Sequence, residues 1–279
     1  MTAIPVFFHS LWSISSYTWR EGMRKKILIG FLILSLLTIF GATFLTAFLE
    51  TGGTGADAEV DAKLVKDICV TAISIFGVLI TIFISASVVP SEVENKVIYT
   101  VLSKPVRRYQ YLLGKFLGVQ LIVLMNLALM GGLFFVALYF QEGILPTLLL
   151  WTILLTYFEF IVVSGFTFAV SCAATSPVLP TIAGLFIYIT GHLTEYLYDV
   201  YTRAGQTGEW GDQVIGQIAY GLWLVLPNLQ NFNMRSQLLH LQPNDPPADI
   251  MIPNLILYAL LFVVAGLGIA YWIFRRKEL

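Results

Sequence analysis

An all-α polytopic membrane protein is the fold class the sequence predicts. It should have six transmembrane helices, an N-terminal interfacial helix, a short cytoplasmic helix, and outer re-entrant or interfacial helices before the last span. Three observations predict it. Of the 279 residues, 57% are hydrophobic and only 12% charged, and mean hydropathy is +0.80; a soluble domain is about 45–50% apolar and about a quarter charged. The apolar residues form continuous runs of membrane length instead of alternating. That argues against a barrel and for helices, which satisfy their own backbone in lipid. Twelve of the 16 lysines and arginines fall on one side when both termini are placed in the cytoplasm. An ordinary cytosolic enzyme and a disordered chain are excluded by this composition. A net charge of −1 leaves no basic footprint for nucleic acid, and two cysteines, Cys69 and Cys172, make no disulfide framework.

The first element is a helix over residues 5–26 lying on the membrane surface. Phe7, Phe8, Leu11, Trp12, Trp19 and Met23 face lipid, with Arg20, Arg24, Lys25 and Lys26 at headgroup level. The basic cluster follows the aromatic stretch, so this is not read as a signal peptide. Spans are expected at 27–48, 68–89, 116–140, 148–172, 178–196 and 252–274, in one membrane domain covering 1–279. The fifth is short and bounded by Pro177, with Pro180 inside it. The outer segment 197–251 is long, and its apolar part from Gln213 to Leu226 is too short for a span. Gly131, Gly132, Gly184 and Gly191 allow close helix packing.

Between spans two and three, Ser91 and Glu94 have the spacing of a capping box, so a helix is expected over 91–103. Val93, Val97, Ile98, Val101 and Leu102 lie on one face; Glu92, Asn95, Lys96 and Thr100 lie on the other. Lys104-Pro105 ends it, and a second helix carrying Arg107 and Arg108 runs into the third span. A short amphipathic helix of this kind suits a groove on a partner or a surface of headgroups.

Residues 92–115, EVENKVIYTVLSKPVRRYQYLLGK, resemble the signature of type 2 ABC-transporter permeases. The similarity is greatest to the branch of the nitrous-oxide-reductase maturation permease. Val225-Leu226-Pro227-Asn228 and the ending Phe274-Arg275-Arg276-Lys277-Glu278-Leu279 resemble that branch too. The resemblance implies the transmembrane subunit of an exporter in the inner membrane. Two permease subunits, this chain with itself or with a paralogue, would pair with two ATPase subunits. The helix 91–103 would be the coupling helix. Glu92, Glu94, Val97, Ile98, Val101, Lys104, Arg107 and Arg108 would then meet the ATPase or the headgroups beside it.

No catalytic machinery is visible in the chain. Gly114-Lys115 is followed by Phe116 and lacks the earlier glycine of a P-loop, so ATP and magnesium belong to a partner. His9, His192 and His240 are far apart, and no metal cluster is expected. His192 near Glu195 has the ligand types to bind a metal, but the pair reads first as an ordinary interfacial one. Glu159 stands mid-way along the fourth span near Ser164. It is either a cavity-lining group or a carboxyl hydrogen-bonded between helices. Two other functions compete with export. One is transmission of ATPase strokes to an extracytoplasmic partner docked on 197–251. The other is an intramembrane lipid-modifying enzyme, for which the spans offer few polar residues.

Overall fold

The structure is a computed structural model that describes residues 3–49, 55–95, 107–142, 147–207, 210–233 and 252–276. Every regular element among them is helical. In order these are α1 (Ala3–Met23), α2 (Lys26–Leu49), α3 (Gly55–Ser87), α4 (Pro90–Glu94) and α5 (Arg108–Glu142). There follow α6 (Thr147–Ala173), α7 (Val178–His192), α8 (Thr194–Thr207), α9 (Trp210–Val225), a 3-10 turn (Gln230–Phe232) and α10 (Ile252–Arg276).

Among the described residues, five helices are long and apolar enough to cross a bilayer. Their qualifying stretches are Lys26–Phe44, Lys66–Glu94, Arg108–Tyr139, Leu150–Ala173 and Ile252–Arg276. α7 is apolar but has 15 residues, a rise of about 22 Å against a hydrocarbon core of about 30 Å. Only Leu193 separates it from α8. The amide of Leu193 still bonds the carbonyls of Ile189 and Thr190, and its own carbonyl accepts from Leu197, so the chain bends there without leaving polar backbone unpaired.

The core is built around α6, which packs on α10, α3, α7 and α5. Phe160, Val162, Val163 and Phe168 are fully buried, and so are Ser164, Thr167 and Ser171. Small side chains set the closest crossings. At the crossing of α6 and α10, a Cβ on Gly266 would stand 3.0 Å from the Gly165 carbonyl carbon. Neither glycine stands out in the sequence, since each is one small residue in an apolar run. Of the glycines expected at close contacts, Gly132 instead faces open space.

α1 departs from the expected lipid-facing reading. Phe8 and Trp12 are exposed as expected, but Trp19 packs on the core and Leu11 is half-buried. The buried face carries Ser15, Thr18 and Gly22, and it packs against Gly114, Gly118 and Ile122 of α5. A Cβ on Gly118 would lie 2.9 Å from the Ser15 carbonyl oxygen. Lipid tails are as apolar as leucine, so helix contacts in a membrane select small residues that let backbones approach. A reading that sends the largest apolar residues to one face misses this. The placement of Phe7 lies outside the described side chains.

Candidate functional site

The end of the bundle that carries Lys25, Arg108, Lys115 and Arg275 is held by polar contacts between helices that are distant in sequence. Lys25 Nζ donates to Ser87 Oγ at 2.7 Å, tying the start of α2 to the end of α3. Arg108 Nη1 donates to the carbonyls of Arg275 (3.0 Å) and Phe274 (3.4 Å), placing a cation on the negative end of α10. Tyr111 stacks on Phe274 with ring centroids 5.6 Å apart.

At the centre of this end lies Glu92. α4 begins two residues after α3, with Pro90 in its first turn, where a missing N–H costs nothing. Its N-cap is Val89, without a side-chain bond. Ser91, expected as the cap, sits inside the helix, and its hydroxyl has no hydrogen-bond partner. The expected cap thus lies two residues inside the observed one, and Glu92 faces inward. Glu92 is 2% exposed. One carboxylate oxygen accepts from the Tyr111 hydroxyl and the other from Lys115 Nζ. Tyr111 and Lys115 are four residues apart on α5 and so share one face. Both are buried. Lys115 also reaches α1, with Nζ 3.9 Å from Glu21 Oε2 and 5.1 Å from the Tyr17 ring centre.

This network moves the protonation of its neighbours. Burial pulls the Lys25 ammonium below the usual lysine range; Lys115 adds to the fall, while Glu21 and Glu92 oppose it. The Tyr17 phenol is pushed up, by burial first and then by Glu21 and Glu92. Tyr111, Lys115 and Glu92 form one neutralised unit in which every charge meets an opposite charge or a donor. This satisfies the condition under which a buried ion pair is tolerable.

The expected site residues separate into three groups. Glu92 belongs on the inner side of α4, not on the outward polar face that the heptad spacing assigns it. Glu94 and Arg107 are exposed and Arg108 half-buried. Val97, Ile98, Val101 and Lys104 lie outside the described residues. Lys115 and Tyr111 were not read as site residues. Lys115 entered as the end of the 92–115 signature and as an inside charge, and a lysine beside an apolar run is the signal that could have singled it out.

Glu159 occupies a second polar place, mid-way along α6. It is 4% exposed, and its Oε1 lies 3.5 Å from His192 Nε2 on α7. The carboxylate set against His192 is therefore Glu159, not the expected Glu195, which is exposed. The bend at Leu193 carries Glu195 away, whereas α6 and α7 lie side by side. Ser164, one and a half turns further along, accepts instead from Gln120 Nε2 on α5 at 2.6 Å.

The strand of chain after α9 locks α7 to α10. Leu229 N donates to the Gly191 carbonyl at 3.0 Å, and Asn228 N donates to the Tyr258 hydroxyl at 2.8 Å. The close approach at Gly191 leaves a side chain no room, since a Cβ there would meet Leu229 and the Pro227 carbonyl. In comparisons with known proteins, the family described as "ABC-2 family transporter protein" matches residues 12–279. No match is found among curated proteins.

Proposed function

The chain belongs to the ABC-2 family of transporter proteins, and from that premise we propose that it serves an ATP-driven exporter, coupling ATP hydrolysis on a separate subunit to export or extraction of a substrate. It is a multi-pass membrane protein and a transmembrane subunit of an ABC transporter, and membership implies an ABC ATPase as partner. Two copies of that ATPase bind ATP and magnesium. They pair with two permease subunits, this chain twice or this chain and a paralogue. Six spans cross the inner membrane, with α7 and the first residues of α8 as the fifth. Both termini are cytoplasmic, and the exposed Phe8 and Trp12 of α1 rest in lipid.

The burial of Glu92 supports this reading most. A coupling helix over 91–103 has to pass a push from water into the membrane through a stiff joint. Glu92 is such a joint. It sits in α4 (Pro90–Glu94), at the head of that segment, two contacts fasten it to α5, and Lys115 extends the connection to α1. Glu94 and Arg107 stay exposed for the ATPase surface, and Val97, Ile98 and Val101 fill its cleft. Glu92 then works by positioning the coupling helix, not by touching the ATPase.

Affinity purification in mild detergent, with identification of what co-purifies, tests this. The wild-type chain should bring down an ATPase in roughly equal amount. The double substitution Val97→Asp, Val101→Asp should abolish that recovery while leaving the elution profile and helicity of the chain intact, because a carboxylate cannot be buried unpaired in an apolar cleft. A folded wild-type chain that recovers no ATPase would sink the proposal.

A further inference from the structure

We infer that Glu159 and His192 form an exchangeable binding site for a divalent transition cation of the zinc class, set in the membrane domain apart from the Glu92 network. The inference stands independently of the ATPase reading. Three observations carry it.

The first is the state of the imidazole. His192 Nδ1 lies 3.1 Å from the Tyr188 carbonyl oxygen. A carbonyl only accepts, so Nδ1 carries the hydrogen. In a neutral ring Nε2 then holds the lone pair, and this is the nitrogen that faces Glu159. A hydrogen bond from one ring nitrogen to a backbone carbonyl, with the other nitrogen free, is how metal-binding histidines are oriented. The Tyr188 ring, with its centroid 4.6 Å from that of His192, holds the imidazole in place.

The second is distance. Oε1 of Glu159 is buried and has no hydrogen-bond partner. Its 3.5 Å separation from Nε2 is long for a charge-assisted hydrogen bond, which closes to about 2.7–2.9 Å. Two acceptors at that spacing repel each other unless a proton or a metal cation lies between them. Zinc–ligand bonds of about 2.0–2.1 Å drawn to two atoms 3.5 Å apart meet at about 115°, near the tetrahedral angle.

The third is space. The pair opens into a cavity of about 210 Å³ whose wall includes Thr71, Ser74 and Asn233. That is room for several waters at about 30 Å³ each, and the lining oxygens can bond to them. No third His, Cys, Asp or Glu joins the pair among the described residues. Two protein ligands and two waters make a site that releases its ion readily. Passage through a membrane protein needs that property, since a site that binds too tightly does not conduct. The ligand set of one imidazole and one carboxylate favours zinc, cobalt or nickel over calcium or magnesium, which take oxygen alone.

The experiment uses the full chain purified in detergent and stripped with a chelator. Zinc binding is measured by equilibrium dialysis with elemental analysis, and the coordination is read from cobalt absorption spectra. One zinc per chain is expected. Either Glu159→Gln or His192→Gln should weaken binding by more than roughly 10-fold, the loss that even outer partners of a metal ligand produce. His192→Cys provides a second arm that survives a poorly folding Gln variant. It should restore binding and add a thiolate-to-cobalt charge-transfer band, which a merely structural role for position 192 would not create. Absence of zinc from folded wild-type chain overturns the inference and leaves the pair closed by a proton. Zinc that persists in both Gln variants overturns it as well, by placing the ion elsewhere.

Discussion

Glu92→Ala should destabilise the protein by about 3–5 kcal/mol, the cost of leaving a buried charge without its partner. Lys115 is 1% exposed. With Glu92 gone its remaining carboxylate among the described residues is Glu21, which is 31% exposed and 3.9 Å away, and the Tyr111 hydroxyl loses its acceptor. Lys115→Met should do comparable damage from the other side, by stranding the Glu92 carboxylate. The double variant Glu92→Gln, Lys115→Met should be milder than either single change, because removing both charges leaves no unpaired ion. Thermal unfolding in detergent, followed by the loss of a monodisperse elution peak, reads the order of the three. If the effects of the single changes simply add in the double variant, the two residues are independent and the ion pair holds nothing together.

The same variants separate stability from coupling. In the proposed exporter, the double variant folds but has lost the charged joint between α4 and α5. ATPase should still co-purify with it, since Val97, Ile98 and Val101 are unchanged. Substrate-dependent stimulation of ATP hydrolysis should fall. Stimulation equal to wild type would show that the joint is scaffolding alone.

Gly266→Ala should have the second large effect, a loss of about 1–3 kcal/mol, the usual cost of overpacking. The added methyl would stand 3.0 and 3.1 Å from the carbonyl carbon and oxygen of Gly165 and 3.4 Å from Phe166 N. These are backbone atoms in the middle of α6, and they cannot rotate aside as a side chain can. α10 would have to move off α6, disturbing the most extensive helix pair in the bundle. Gly268→Ala is the control. It lies two residues away on the same helix, with nothing within 4 Å of the added Cβ. Alanine there gains helix propensity of up to about 1 kcal/mol and meets no obstacle. Unfolding of the two variants, measured side by side, should differ by more than that gain. Equal tolerance would mean that α6 and α10 do not cross at this point.

The chain shows how far a membrane sequence can be read unaided. α2, α3, α5, α6 and α10 were legible because a helix facing lipid needs a long apolar run, and such a run is a one-dimensional property. The continuity from Arg108 into the third span was legible for the same reason. The boundaries were less so. α3 extends to Gly55, well before the expected start at 68, since the polar residues that end an apolar run do not end a helix. α5 begins at Arg108, where the Arg107 amide is satisfied by Gln110 Oε1 at 2.9 Å, and that bond is invisible to hydropathy.

The site was legible as a stretch of chain and illegible as an arrangement. Glu159 was singled out because a carboxylate in an apolar run stands apart without any structure. Its partner could not be found that way. His192 lies 33 positions further along, and the nearby Glu195 was the natural guess until the bend at Leu193 separated them. Glu92 likewise carried a correct address and a wrong direction. The helix is capped at Val89 and not at Ser91, and only its packing against α5 shows that Glu92 lies on the buried side.

By itself, then, the sequence determined the class of solvent, the helical character, and the segment that resembles a coupling helix. All of these follow from composition and local order along the chain. Only the tertiary structure decided that Glu92 lies between Tyr111 and Lys115, that small residues of α1 and α10 seat against α5 and α6, and that Glu159 faces His192. The physical reason is the solvent. In water, burial sorts apolar from polar, and a periodic pattern reveals the inner face. In lipid both faces of a helix are apolar, so the choice of partner falls to backbone clearance and to a few polar pairs, and these exist only once the helices have met.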